Sequence, residues 1–139
     1  MPVRSAKAIW RGGLREGQGT ASFGGFEGRY SFPSRFEEGE GTNPEEMIGA
    51  AFAACFSMAL SGNLERAGHA PEEVRTSAKV HIEKGAEGFA ITRIDLNTEV
   101  SAPGIDESAF QEQAQAAKKG CPVSRALAVP DVRLEAKLV

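Results

Sequence analysis

The longest uninterrupted signal in the chain is an apolar run. From Met47 to Leu60 no residue is charged, and five alanines and Gly49 keep the side chains small. In front of the run stands Thr42-Asn43-Pro44-Glu45-Glu46, in which Asn43 suits an N-cap, Pro44 suits the first helical position and Glu46 falls where a capping-box carboxylate reaches back. Behind it Glu65 and Arg66 turn polar, Gly68 suits the first residue past a helix, and Pro71 cannot continue one. The pattern predicts a helix from Pro44 to about Ala67, roughly 36 Å long at about 1.5 Å per residue and buried on most sides. Such a helix is hard to hide inside one chain of 139 residues. Its small residues Gly49, Ala50, Ala53 and Ala54 suit close packing against a second helix, a hint of dimerisation.

The flanking pattern is of another kind. Residues 3–32 hold short β-type runs, Ala8-Ile9-Trp10, Gly19 to Phe23 and Arg29 to Phe32, separated by glycine pairs, which is the punctuation of an antiparallel meander. Pro33 to Thr42 is acidic and glycine-containing and reads as an exposed or interface loop that carries Arg35 and Phe36. Val74, Ala78, Val80 and Ile82 alternate with polar neighbours as a half-buried strand. The next strand has Phe89 and Ile91 in one phase but Ile94, Leu96, Thr98 and Val100 in the other, so a β-bulge is expected near Thr92 and Arg93. Asp106 or Ser108 caps a short amphipathic helix with Phe110, Ala114 and Ala117 inward and Gly120 as its C′ residue. Cys121-Pro122-Val123-Ser124 restarts a helical turn, and Val132, Leu134, Ala136 and Leu138 form a last alternating strand. The fold class is α+β, in a single domain over residues 1–139.

Composition narrows the classes of function. Hydrophobic residues make up 41% and charged residues 25%, with a net charge of −3, the balance of an ordinary globular domain. Neither Lys nor Arg forms a run, so nucleic acid and anionic membranes are not expected partners. The charge-free run is fourteen residues, short of the roughly 20 that cross a bilayer, and Met1 to Trp10 hold no signal-peptide core. A cytoplasmic location is expected. There, two cysteines point to a transient redox pair rather than a permanent staple.

Cys55, set among Ala51, Phe52, Met58 and Ala59 at helical spacing, reads on composition alone as inert core, and unaided it would be a poor nucleophile. Cys121 precedes Pro122 at a helix start, where the dipole and free N–H groups favour a thiolate. His69, in a helix-exit turn, and His81, on the outer side of a strand, read as solvated surface residues. A Cys/His zinc site would need ligands from four unrelated segments with no short pair, so no metal is expected.

The stretch from Gly41-Thr42-Asn43-Pro44-Glu45-Glu46 through Ala53-Ala54-Cys55-Phe56-Ser57, together with Gly120-Cys121-Pro122-Val123-Ser124, resembles the OsmC/Ohr family of thiol peroxidases. Arg35-Phe36-Glu37, Phe89 to Thr92 and Pro103-Gly104-Ile105-Asp106 extend the likeness over nearly the whole chain, and the place of Arg35 just before the long helix favours the OsmC branch. The resemblance implies an intertwined homodimer with long central helices enclosed by antiparallel sheets. It also implies a peroxidatic Cys55, a resolving Cys121, and Arg35 and Glu45 as the motif arginine and glutamate, with no metal or organic cofactor. Guanidinium supplies a permanent cation for a thiolate, and a carboxylate holds it bidentately. The implied partners are an organic hydroperoxide, whose apolar part would meet Phe52, Phe56 and Met58, and a thiol reductant. In the hydroperoxide-resistance branch that reductant is a lipoyl protein, which makes a dihydrolipoyl protein a candidate here. The reading from a different class is a non-catalytic dimeric binding protein for an apolar ligand, with both cysteines structural. A general disulfide exchanger is disfavoured by the lack of a Cys-x-x-Cys pair.

Overall fold

The computed structural model describes all residues, Met1 to Val139, as two compact units, Met1–Met47 and Ile48–Val139. In the first, β1 (Ala6–Arg11), β2 (Gln18–Phe23) and β3 (Phe26–Tyr30) form the expected antiparallel meander in the order β1-β2-β3. Gly24 and Gly25 both adopt positive φ, as a two-residue hairpin turn requires. The third strand stops at Tyr30, earlier than the pattern suggested, because Ser31 caps a helical turn, α1 (Phe32–Phe36). The loop read as irregular thus opens with one turn of helix. Ser31 and Ser34 bond each other's backbone N–H reciprocally, and Pro33 needs no donor at the helix start.

The long helix α2 runs from Pro44 to Arg66 and crosses the boundary between the units. Its start follows the sequence: the Asn43 side-chain oxygen accepts the Glu46 N–H at 2.8 Å. The Glu46 carboxylate accepts from the Thr42 hydroxyl at 3.0 Å. Its end also follows, with Gly68 at φ 89°. Burial does not. Only a stripe, Phe52, Phe56, Leu60 and Leu64, is fully enclosed, while Ala50, Ala51, Ala54 and Met58 face outward, Met58 at 77% exposure. Gly49 is on the covered side, against Ala78 and Val80, so its small size admits the chain's own strand rather than a second helix. By length and composition α2 is long and apolar enough to cross a membrane, so the fourteen-residue count understated it. A core helix of a soluble protein meets the same test, and this stripe of four packs into the second unit's core, at about 1.5–3 kcal/mol for each side chain.

That core is closed by a three-stranded sheet of order β4-β5-β6: β4 (Glu73–Gly85), β5 (Gly88–Ser101) and β6 (Asp131–Leu138). His81 pairs with Arg93 and Ile82 with Ile91, which leaves Thr92 as the extra residue of the bulge the phase slip predicted. The slip lets Ile91 share the inward face with Ile94, Leu96, Thr98 and Val100. Buried Thr98 is bonded to Thr76, which accepts from the Ser57 hydroxyl, so no polar group is stranded there. β6 runs parallel to β5, so this sheet is mixed rather than antiparallel as expected. The cause is the connection: α3 (Glu107–Gly120) and α4 (Pro122–Leu127) form a helical crossover that returns the chain to the starting end of β5. Asp106 is the N-cap of α3, accepting from Ala109 N–H, and Phe110, Ala114 and Ala117 are its buried face. Gly120 is still helical; Cys121, in extended backbone, ends α3 and begins α4.

Candidate active site

The four residues singled out from the sequence form two pairs, one in each unit. In the second unit Cys55, on α2, and Cys121, at the α3–α4 junction, are both free thiols with their sulfurs 2.7 Å apart, Cys121 as donor. Helix geometry sets this up. Cys55 stands one position before Phe56 and three after Phe52, on the flank of the buried stripe, and is itself only partly covered. Cys121 lies wholly inside, in the same buried cluster as Ala117 and Phe110. Burial raises the Cys121 pKa above the usual thiol value, and its bond to Cys55 adds to the rise; the backbone N–H groups of Ser124 and Val123 oppose it. The thiolate expected from the helix start is therefore outweighed by desolvation, and Cys121 is a thiol at neutral pH.

The apolar wall expected beside Cys55 is also different. Phe52 and Phe56 are fully buried in the core and line no open surface, leaving Ala51 and Met58 as the exposed apolar neighbours one helical turn away.

In the first unit Arg35 and Glu45 form a fork: Nε donates to Oε1 at 2.8 Å and Nη2 to Oε2 at 3.1 Å. The Glu45 side chain is 9% exposed and the Arg35 side chain 38%, so the arginine is the more open member of the pair. Arg35 also lies over the Phe36 ring at 5.1 Å, which limits where its plane can turn. Arg35 sits in the last turn of α1 and Glu45 in the first turn of α2, where the helix dipole favours a carboxylate.

The residues that hold this fork were not singled out from the sequence. Ser34 is buried, and its hydroxyl donates to the Thr42 carbonyl at 2.7 Å. Asn43 reaches back with its amide to the Ser34 carbonyl at 3.1 Å. A Ser-x-x-Ser spacing at 31–34 was the available signal. His69 and His81 join neither pair; His81 bonds Asp95, which also accepts a fork from Arg93. No group of three or more His, Cys, Asp or Glu side chains is placed to hold a metal.

The chain is an α+β protein with two facing free thiols, one half-covered on a long helix and one buried at a helix junction. The chain belongs to the OsmC family: residues 37–136 match the OsmC-like protein family. It is 50% identical over 127 residues to peroxiredoxin OsmC of Escherichia coli (strain K12), covering 89% of each chain. It is 32% identical over 144 residues to the organic hydroperoxide resistance protein OhrB of Bacillus subtilis (strain 168), covering 99% of this chain and 100% of the relative. Among solved structures, an OsmC-like protein from Mycoplasma pneumoniae superposes over 99% of this chain and 98% of its own, with a TM-score of 0.78 at 17% identity. That likeness concerns the fold. The solved OhrB of Bacillus subtilis superposes over 97% of this chain and 98% of its own, with a TM-score of 0.68 at 28% identity.

Proposed function

We propose that this chain is a thiol-dependent hydroperoxide reductase, and the observation that carries the proposal is the 2.7 Å approach of Cys121 to Cys55. Relatives named as a peroxiredoxin and as hydroperoxide resistance proteins support the same chemistry. The Cys55 thiolate attacks one peroxide oxygen, the O–O bond breaks, and the other oxygen leaves with a proton as alcohol or water. Cys55 becomes a sulfenic acid, oxidised by two electrons. Cys121 then displaces the hydroxyl as water and a Cys55–Cys121 disulfide forms. An external dithiol restores both thiols by exchange; a dihydrolipoyl protein is the proposed reductant. Arg35, steadied by Glu45, supplies the cation that a desolvated thiolate needs. Met58 and Ala51 give the approach to Cys55 an apolar side, which favours organic hydroperoxides.

The active form is proposed to be a homodimer in the cytoplasm. The support is the open face of α2, where Ala50, Ala51, Ala54 and Met58 would otherwise stay in water. A dimer also answers a difficulty of distance. Glu45 and Cys55 are ten positions apart on α2 (55 − 45), about 15 Å of rise with no proline between them, so they cannot meet on one straight helix. Each site is therefore proposed to combine Cys55 and Cys121 of one chain with Glu45 of its partner.

Titration of free thiols before and after one equivalent of cumene hydroperoxide tests the activity. Two thiols per chain disappear on the peroxidase reading; retention of both would remove it and favour a binding protein with structural cysteines.

A further inference from the structure

The loop that carries Arg35 is closed at its base by a set of bonds whose members make no claim on the thiols. Ser34 holds both ends. Its hydroxyl accepts the Ser31 N–H at 2.8 Å and donates to the Thr42 carbonyl at 2.7 Å, and its own N–H is bonded to the Ser31 hydroxyl at 3.2 Å. Its carbonyl accepts the Asn43 side-chain amide at 3.1 Å. Thr42 is fixed in turn by its N–H on the Arg29 carbonyl at 2.8 Å and by a bridge to Tyr30. Inside the loop the Glu37 and Gly39 N–H groups both bond the Pro33 carbonyl, and a Cβ at Gly39 would meet Pro33 at 2.6 Å, so the segment packs against itself as a compact loop with its ends together.

The consequence lies one residue away on one side and two on the other. Arg35 follows Ser34 and Glu45 stands two residues beyond Asn43. A bidentate fork needs both planes held, because a small shift of either base opens one of its two bonds. We propose that Ser34 and Asn43 are positioning residues, which clamp α1 to the start of α2 so that the Arg35 guanidinium is held in its Glu45 fork in one orientation. Ser34 is among the few buried polar residues in the chain, beside Glu45 itself and Thr98. Asn43 does two separable things: Oδ1 caps α2 on the Glu46 N–H, while Nδ2 holds Ser34.

That separation makes the inference testable. It rests on the peroxidase reading for its catalytic meaning, but not for its first readout. Asn43→Ser keeps an N-cap oxygen of comparable quality and is too short to reach the Ser34 carbonyl. Ser34→Ala removes the hydroxyl that joins Ser31 to Thr42. Exchange of the Arg35 Nε–H with water, followed in nitrogen-15 spectra of the reduced protein without peroxide, should quicken roughly tenfold in each variant as one clamp bond is lost. The rate constant for cumene hydroperoxide should fall about tenfold to a hundredfold, the scale of an ångström misplacement of a charged group. A variant with a lowered melting temperature but wild-type Nε–H exchange would show that its residue only stabilises the loop, and would overturn its positioning role. If Ser34→Ala does not fold, Asn43→Ser decides alone. A wild type that consumes no peroxide defeats the functional reading and leaves the exchange measurement standing; a wild type that does, with both variants equally fast, defeats the positioning reading alone.

Discussion

Removing either partner of the Arg35–Glu45 fork should abolish most peroxide reduction, yet the two losses should differ in stability. Arg35→Ala leaves the Glu45 carboxylate, on a side chain only 9% exposed, without the two charge-assisted bonds it accepts at 2.8 and 3.1 Å. Stranding one member of a buried pair costs about 3–5 kcal/mol. The Arg35 side chain, at 38% exposure, leaves the pair partly open to water and brings the figure to the low end, about 3 kcal/mol. The N-terminus of α2 favours this carboxylate in wild type and variant alike, so it drops out of the difference. Glu45→Ala instead leaves a cation already in contact with water and stacked on Phe36. Its loss is about 1 kcal/mol of hydrogen bonding plus about 0.5 from the dipole, roughly 1.5 in all. The expected order is therefore Arg35→Ala less stable than Glu45→Ala by about 1.5 kcal/mol, a factor of about thirteen in the folding equilibrium. The double variant, with no charge left to strand, should be at least as stable as Arg35→Ala alone. Urea unfolding of the reduced proteins at one fixed concentration measures this, since any dimer makes stability depend on concentration. Equal losses, or the reverse order, would refute the view that the buried member of the pair is the carboxylate.

Cys121→Ser should permit one turnover and then stall with Cys55 as a sulfenic or higher acid, seen as added oxygen by mass spectrometry; an unmodified Cys55 after peroxide would remove its peroxidatic role. Asp95, held down to about 2 by its bonds to Arg93 and then His81, has a folded pKa below its ordinary 3.8, so it adds stability above that value that is lost as pH falls from about 4 towards 2. Asp95→Asn should flatten that limb of the acid-unfolding curve, and an unchanged curve would mean the pair is idle. Subunit exchange between a Glu45→Ala homodimer and a Cys55→Ser homodimer, each inactive, should return activity towards half of wild type; none returning, with heterodimer verified by native mass spectrometry, would mean that Glu45 serves the Cys55 of its own chain.

How far the sequence could be read followed from where the physics is local. The ends of α2 were legible because Asn43, Pro44 and Gly68 act on their immediate neighbours, and the bulge at Thr92 was legible because one slip of phase has one remedy. The direction of β6 was not, because Val132, Leu134, Ala136 and Leu138 alternate identically in a parallel or an antiparallel pair, and the helical crossover decides. Gly49 was assigned to a partner helix on size alone, whereas Val80 takes the space. The thiols divide in the same way. Composition makes Cys55 inert core, and only the family motif pairs it with Cys121, 66 positions away. For Cys121 the local argument, a helix start, gave the wrong sign because burial is a property of the finished core.

That reversal bears on the proposed cycle. A resolving cysteine is usually wanted as a thiolate, since the thiol attacks poorly. Here Cys121 keeps its proton and directs it at the Cys55 sulfur. After attack the same proton lies next to the new S–O bond. Hydroxide is a poor leaving group, and the Cys121 proton converts it to water as the sulfur–sulfur bond closes. Negative charge that gathers on Cys121 as the proton departs meets the Val123 and Ser124 N–H groups, which already favour it. In the proposed cycle, burial that makes Cys121 a weak nucleophile at rest therefore also keeps in place the proton for its own step, with the two sulfurs already 2.7 Å apart.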